Sequence, residues 1–196
     1  ARVCRQNGVT VVISMDGPDK FSYSLFRKEE NFQRVQDHVI QYAQNCEVEI
    51  NMVLSKRNYM VIEDMAKFAV ENGINFIDVS PYYGHYKAET VLGKALKEIP
   101  RNKYYLSTKV GRYGENGVNI WNYSGKCATE SVYKSMERLN VDYIDLINVH
   151  DIEFADLHQV IHETLPALVE LRNKGIVKHV GTVSYTHLTL PTICSV

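Results

Sequence analysis

The sequence has no CxxC pair. Its four cysteines, Cys4, Cys46, Cys127 and Cys194, are scattered singly, which excludes zinc-ribbon and thioredoxin-type sites and predicts free thiols in a reducing, cytoplasmic setting. Basic charge is not in excess either. Lysine and arginine number 22 against 23 acidic residues, a formal net charge of -1, so nucleic acid and anionic membrane are not expected partners. Long apolar runs are missing: the longest are about five residues, far too short to span a bilayer. The opening ARVCRQNGVT has no apolar signal core. What remains, 45% hydrophobic and 23% charged residues, is the composition of an ordinary globular protein.

Short β-rich runs alternate with amphipathic helical stripes. Strands are predicted at Val9–Ser14, Val48–Leu54, Ile74–Val79, Tyr104–Val110, Asp142–Val149 and Ile176–Thr182. Val9–Ser14 is a near-continuous β-branched run, as expected of a strand buried on both faces. The clearest helix places Ala88, Val91, Leu92, Ala95, Leu96 and Ile99 on one stripe. Another carries Leu157, Val160, Ile161, Leu165 and Leu168, with a kink expected at Pro166. Residues 111–125, rich in Gly and Asn, read as a long loop of functional interest. Crossovers of helical length imply parallel strands. The expected fold is therefore α/β, an incomplete parallel (β/α) TIM-type barrel of about six strands, because 196 residues fall short of the roughly 250 of a full barrel.

Active sites of such folds gather at the C-terminal ends of the strands. Asp78, Lys109 and His150 end three successive predicted strands, and Tyr83 follows five residues after Asp78. Taken singly, each has an ordinary reading. Asp78 reads as a turn cap, Lys109 as a solvent-seeking cation, His150 as a core histidine and Tyr83 as a packed loop aromatic. Together they suit proton transfer. A phenol is a poor acid at neutral pH. A neighbouring ammonium stabilises its phenolate, a carboxylate keeps the ammonium oriented, and an imidazole orients a carbonyl. Asp16, at the end of the first predicted strand, is expected to be a turn residue. No metal site is expected.

The stretches GINFIDVSPYYGHYKAETVLGKAL, STKVGRYG, LNVDYIDLINVHDIEF and LPALVELRNKGIVKHVG resemble the aldo-keto reductases over about residues 72–182. HDIEF with the preceding GRYG is most similar to the L-galactose dehydrogenase branch. The resemblance implies Tyr83 as general acid, Lys109 and Asp78 as its tuning pair and His150 as the group orienting the substrate carbonyl. It implies NADP(H) or NAD(H) as cofactor, and a small carbonyl compound or sugar as substrate. Most of that family's cofactor contacts lie beyond the fifth strand, where Gly181-Thr182-Val183-Ser184 stands here, so cofactor-binding residues are not assigned.

Two segments depart from this pattern. Residues 1–72, with GVTVVISMDGPDKF and VEINMVLSKRNYMVIEDMAKFA, resemble part of a radical S-adenosylmethionine barrel, but the CxxxCxxC cluster motif of those enzymes is absent. Residues 183–196, with VSYTHLTLPT, resemble a translated sequencing adapter. The expected organisation is thus 1–72, 73–182 and an artefactual tail, with the two main pieces meeting at AVENGI. The leading function is an NAD(P)-dependent aldose or carbonyl oxidoreductase. Its alternatives are a radical S-adenosylmethionine fragment and a non-catalytic regulatory relative.

Overall fold

The structure, a computed structural model, describes residues 6–115 and 117–183. All six expected strands form, and they pair in parallel as two sheets rather than one. The chain divides into two compact units, Ala1–Asn75 with Lys94–Tyr104, and Phe76–Gly93 with Tyr105–Val196. Among the described residues, no helix is long and apolar enough to cross a membrane. The tail expected from residue 183 onward lies outside the described residues, apart from Val183 itself. So do Cys4 and Cys194, while Cys46 and Cys127 are free thiols.

In the first unit, β1 (Val11–Ser14) pairs with β2 (Val48–Asn51) in the register Val11↔Val48 and Ile13↔Ile50. Helix α1 (Lys20–Ser24) starts where the Asp19 carboxylate accepts from the backbone N–H groups of Phe21 and Ser22. Helices α2 (Phe32–Ala43) and α3 (Ile62–Glu71) supply Phe32, Val39 and Met65 to a core shared with Met15 and Tyr23. Two expectations change here. β1 buries one face only: Ile13 packs on this core while Val12 is 55% exposed, because helices cover only one side of a two-stranded sheet. Asp16 is more than a turn residue. It is buried, pairs with Arg27 at 2.7 Å and accepts from the N–H of Val53 at 3.0 Å. Asn58, itself buried, donates to the Asp16 carbonyl at 2.9 Å.

The second unit carries the sheet β3 (Phe76–Asp78), β4 (Tyr105–Val110), β7 (Ile144–His150) and β8 (Val177–Val183), in that spatial order and all parallel. Helix α4 (Lys87–Leu96) follows β3, and α5 (Gly125–Leu139) precedes β7. The Ser124 hydroxyl caps α5 by accepting from the Cys127 N–H, and Asn140 ends it in the left-handed conformation. Ala128, Val132, Ile144, Ile147, Val149, Leu168 and Val177 form the core. Each large apolar side chain buried in this way contributes roughly 1.5–3 kcal/mol. Gly93 lets α4 approach α5 closely, since a β-carbon there would stand 2.8 Å from the Leu139 Cα.

The loop expected over residues 111–125 instead holds an antiparallel hairpin, β5 (Arg112–Glu115) with β6 (Val118–Trp121). Its cause is legible in the sequence: Asn116-Gly117 is the strongest two-residue hairpin signal, and Val-Asn-Ile-Trp alternates after it. The last helical segment also differs from its expected stripe. Pro166 has no N–H to give one turn back, and between α6 (Leu157–Gln159) and α7 (Leu165–Asn173) the chain widens into a π-turn, Val160–Thr164. The extra residue rotates Leu157 and Ile161 off the core, and each is 55% exposed.

Candidate active site

Three neighbouring strand ends and one loop build the site, all within the second unit. Asp78 is the last residue of β3, Lys109 the penultimate residue of β4 and His150 the last of β7. Parallel register puts them at one rim. Tyr83 lies on the loop after β3, which turns sharply: its N–H donates to the Ser80 carbonyl at 3.0 Å. Gly84, His85 and Tyr86 then follow at φ of 61°, 52° and 69°. Two non-glycine residues in succession in that region cost of order 1–3 kcal/mol each, a strain that clusters at functional sites.

The structure brings the four side chains together. Lys109 is 3% exposed. Its Nζ lies 2.5 Å from Asp78 Oδ2, 2.9 Å from the Val79 carbonyl and 5.2 Å from the centre of the Tyr83 ring. The Tyr83 and His150 rings stand edge to face with centres 6.1 Å apart. Tyr83 is 43% exposed, so its ring borders solvent while the ammonium behind it does not.

Five further residues complete the surroundings. Buried Ser80 places its Oγ 3.3 Å from His150 Nδ1. Ser80 Oγ accepts from the Tyr82 N–H at 3.2 Å, which leaves its own proton available to Nδ1, an arrangement that puts the ring proton on Nε2. Asp151, buried and left-handed at φ 50°, holds Oδ1 3.6 Å from His150 Nε2 and Oδ2 2.5 Å from Arg112. The Arg112 guanidinium stacks on Tyr82 at 3.8 Å and lies 4.8 Å from the Trp121 ring. Asp78, Tyr82, Tyr83, Lys109, Arg112, His150, Asp151 and Val183 line one cleft of about 460 Å³. Its two cations and two carboxylates are paired, which leaves the cleft close to neutral. Sequence reasoning passed over Ser80, Arg112 and Asp151. Asp151 adjoins His150 in HDIEF, and Arg112 stands in GRYG, so both lie inside motifs quoted for the resemblance.

Burial holds the His150 imidazole down to about 4, with Asp151 opposing and the Lys109 and Arg112 charges adding to the effect. The ring is therefore uncharged at neutral pH and offers an N–H without a charge. A histidine depressed in the folded state binds fewer protons than in the unfolded chain between pH 4 and 6.5. Stability from this group is complete above pH 6.5 and declines as pH falls toward 4. The expected loss is about 2 kcal/mol, discounted for solvent screening. Urea denaturation of wild type and His150→Gln across that window checks this. Parallel pH slopes in the two proteins would refute it.

The profile of the Aldo/keto reductase family matches residues 56–193. The match begins within the segment whose resemblance pointed elsewhere. The chain is 44% identical over 111 residues to L-galactose dehydrogenase of Arabidopsis thaliana, covering 56% of this chain and 34% of that protein. It is 42% identical over 128 residues to D-arabinose 1-dehydrogenase of Saccharomyces cerevisiae, covering 63% and 36%. The chain thus spans about a third of the length of these relatives. Among solved structures, an aldo-keto reductase from Bacillus halodurans in its holo form aligns with a TM-score of 0.58 at 32% identity, covering 65% of this chain and 42% of that one. The parallel strands and their crossover helices are part of a (β/α) TIM-type barrel architecture. Because the family profile covers well over half of its residues, the chain belongs to the aldo/keto reductase family.

Proposed function

We propose that this cleft carries the proton-transfer machinery of an NAD(P)-linked oxidoreductase acting on an aldose or small carbonyl compound, in the manner of the L-galactose dehydrogenase branch. The observation that carries the reading is the buried Lys109 ammonium, fixed 2.5 Å from Asp78 and standing 5.2 Å from the Tyr83 ring, with the uncharged His150 ring centred 6.1 Å from the same phenol ring. In the reductive direction, Tyr83 gives its O–H proton to the substrate carbonyl oxygen; in the oxidative direction its phenolate takes the proton back. Lys109 stabilises the phenolate, and Asp78 keeps Lys109 aimed. His150 donates its Nε2–H to the same substrate oxygen and orients it.

This donor set moves a proton and contains no side chain that takes up an electron pair, so it fits a two-electron carrier. A nicotinamide dinucleotide, NADP(H) or NAD(H), would when bound supply the electron-pair exchange at the substrate carbon. Tyr83, Lys109, His150 and Val183 line the cleft that would receive its nicotinamide end. The near-neutral cleft and the aldose dehydrogenases among the relatives favour a neutral sugar as substrate. The test is turnover of free aldoses with NAD⁺ or NADP⁺, followed by the absorbance of the reduced nicotinamide. A folded protein that turns over no aldose and no small aldehyde with either dinucleotide would exclude the reading.

We infer in addition that residues 1–72 and 73–182 have separate origins and that the tail from 183 is foreign to both. The first part is supported by the radical S-adenosylmethionine-like SMDGP segment and by the unit boundary at Asn75. The family match over residues 56–193 runs against both a boundary as late as 72 and a break at 183. Sequencing genomic DNA and transcript across codons 50–80 and 175–196 decides it. One uninterrupted locus encoding all three stretches would refute separate origins.

A further inference from the structure

We propose that Asp151 is a specificity residue, recognising the hydroxyl on the carbon next to the reacting one. It would make the substrate an α-hydroxy carbonyl compound in reduction and a polyol or cyclic aldose in oxidation. The inference rests on the proposed reaction, because it uses His150 to locate the reacting oxygen.

Two donors, the N–H of Asp151 and the Tyr123 hydroxyl, fix the backbone of Asp151 and the peptide before it. The Asp151 N–H donates to the Val183 carbonyl at 2.7 Å. The Tyr123 hydroxyl reaches the carbonyls of His150 and Asp151 at 2.9 and 3.0 Å. That clamp holds a non-glycine residue at φ 50°, a conformation an aspartate tolerates only at some cost. The outcome is a buried carboxylate facing the imidazole on the cleft side.

The two carboxylate oxygens have different tasks. Oδ2 is taken by Arg112 at 2.5 Å, and Arg112 is itself held against the Tyr82 ring. Oδ1 stands 3.6 Å from His150 Nε2, beyond a good hydrogen bond. A donor and an acceptor at that separation match two oxygens on adjacent staggered carbons, which lie roughly 3 Å apart. Nε2–H then addresses the reacting oxygen, while Oδ1 accepts from the neighbouring hydroxyl. Arg112 balances the charge of Asp151, so the acceptor is strong without making the cleft repel electron-rich substrates. A substrate lacking that hydroxyl would leave the buried carboxylate oxygen unpaired, the situation in which a site discriminates best.

Glyceraldehyde and 3-hydroxypropanal differ only in the 2-hydroxyl. In nicotinamide-linked reduction, wild type is expected to favour glyceraldehyde by about 10²-fold in kcat/KM. Asp151→Gly, which suits the positive φ, is expected to bring the ratio to within about threefold. Asp151→Asn keeps an acceptor oxygen and should restore part of the preference. Saturation-transfer NMR without dinucleotide, comparing glycerol with 1,3-propanediol, reads the same recognition independently of turnover, and circular dichroism reports folding. If Asp151→Gly does not fold, a fall of at least about tenfold in the Asn variant is required. Absence of turnover with an intact, Asp151-dependent glycerol contrast would overturn the reaction and leave the recognition standing. A wild type without the contrast, or an Asp151→Gly protein that keeps it, overturns the inference.

Discussion

Tyr83→Phe is expected to lower kcat/KM for aldose oxidation by roughly 10³-fold, with the loss falling on kcat. That is about 4 kcal/mol of transition-state stabilisation. The reason is specific to one atom. The substitution keeps the ring that stands edge to face with His150 and lies 5.2 Å from the Lys109 ammonium, and it removes only the oxygen proposed to exchange the proton. Because the ring is 43% exposed, stability should change by no more than about 0.5 kcal/mol. Steady-state kinetics with matched denaturation curves checks both halves. A variant that keeps a tenth of wild-type kcat would assign the proton transfer to another group.

Glu89→Ala is expected to have the largest effect on stability, about 3–5 kcal/mol. Glu89 lies fully buried on α4. One carboxylate oxygen accepts from the Thr108 hydroxyl at 2.7 Å, and the other pairs with Arg138 at 2.6 Å. Its removal strands the Arg138 guanidinium, which is left with Ser135 at 3.1 Å and the Tyr86 ring at 4.8 Å. Thr108 precedes Lys109 on β4, so the same carboxylate steadies the strand that carries the ammonium. In a chain of this size the loss corresponds to a fall in Tm of about 10 °C. Replacing both Glu89 and Arg138 by leucine should recover part of it, since the isolated charge rather than the missing pair is the larger cost. A Glu89→Ala protein within about 1 kcal/mol of wild type in urea would show that the pair contributes little.

What was legible in the sequence follows from range. Asp78, Lys109 and His150 stood out because each breaks an apolar strand at its end, a signal contained in a few neighbouring residues. Tyr83 needed the motif around it. Glu89 was missed because a charged residue beside the stripe of Ala88 and Leu92 reads as solvated, and its partner lies 49 residues away. Asp151 and Arg112 were missed for the same reason: their pairing spans 39 residues. Leu157 and Ile161 were assigned to the core because a helical stripe presumes an unbroken 3.6-residue period, which the π-turn before Pro166 interrupts. The expectation that β1 is buried on both faces failed because composition describes what a strand could cover, and a two-stranded sheet offers it one side.

The hairpin β5–β6 is hydrogen-bonded as a ladder only to itself among the described strands. Its base closes where the Asn122 N–H meets the Gly111 carbonyl at 2.9 Å. It delivers Arg112 to the cleft wall, and Trp121 to a ring contact with Phe154 at 4.7 Å. The groups proposed to handle the proton arrive by other routes, from β3, β4, β7 and the loop after β3. The Arg112 side of the cleft wall thus comes from a stretch of chain separate from Asp78, Tyr83, Lys109 and His150, whereas Asp151 shares its strand end with His150. A change elsewhere in the hairpin can therefore move the Arg112 guanidinium, and with it one wall of the cleft, while the three strand ends that carry Asp78, Lys109 and His150 keep their register.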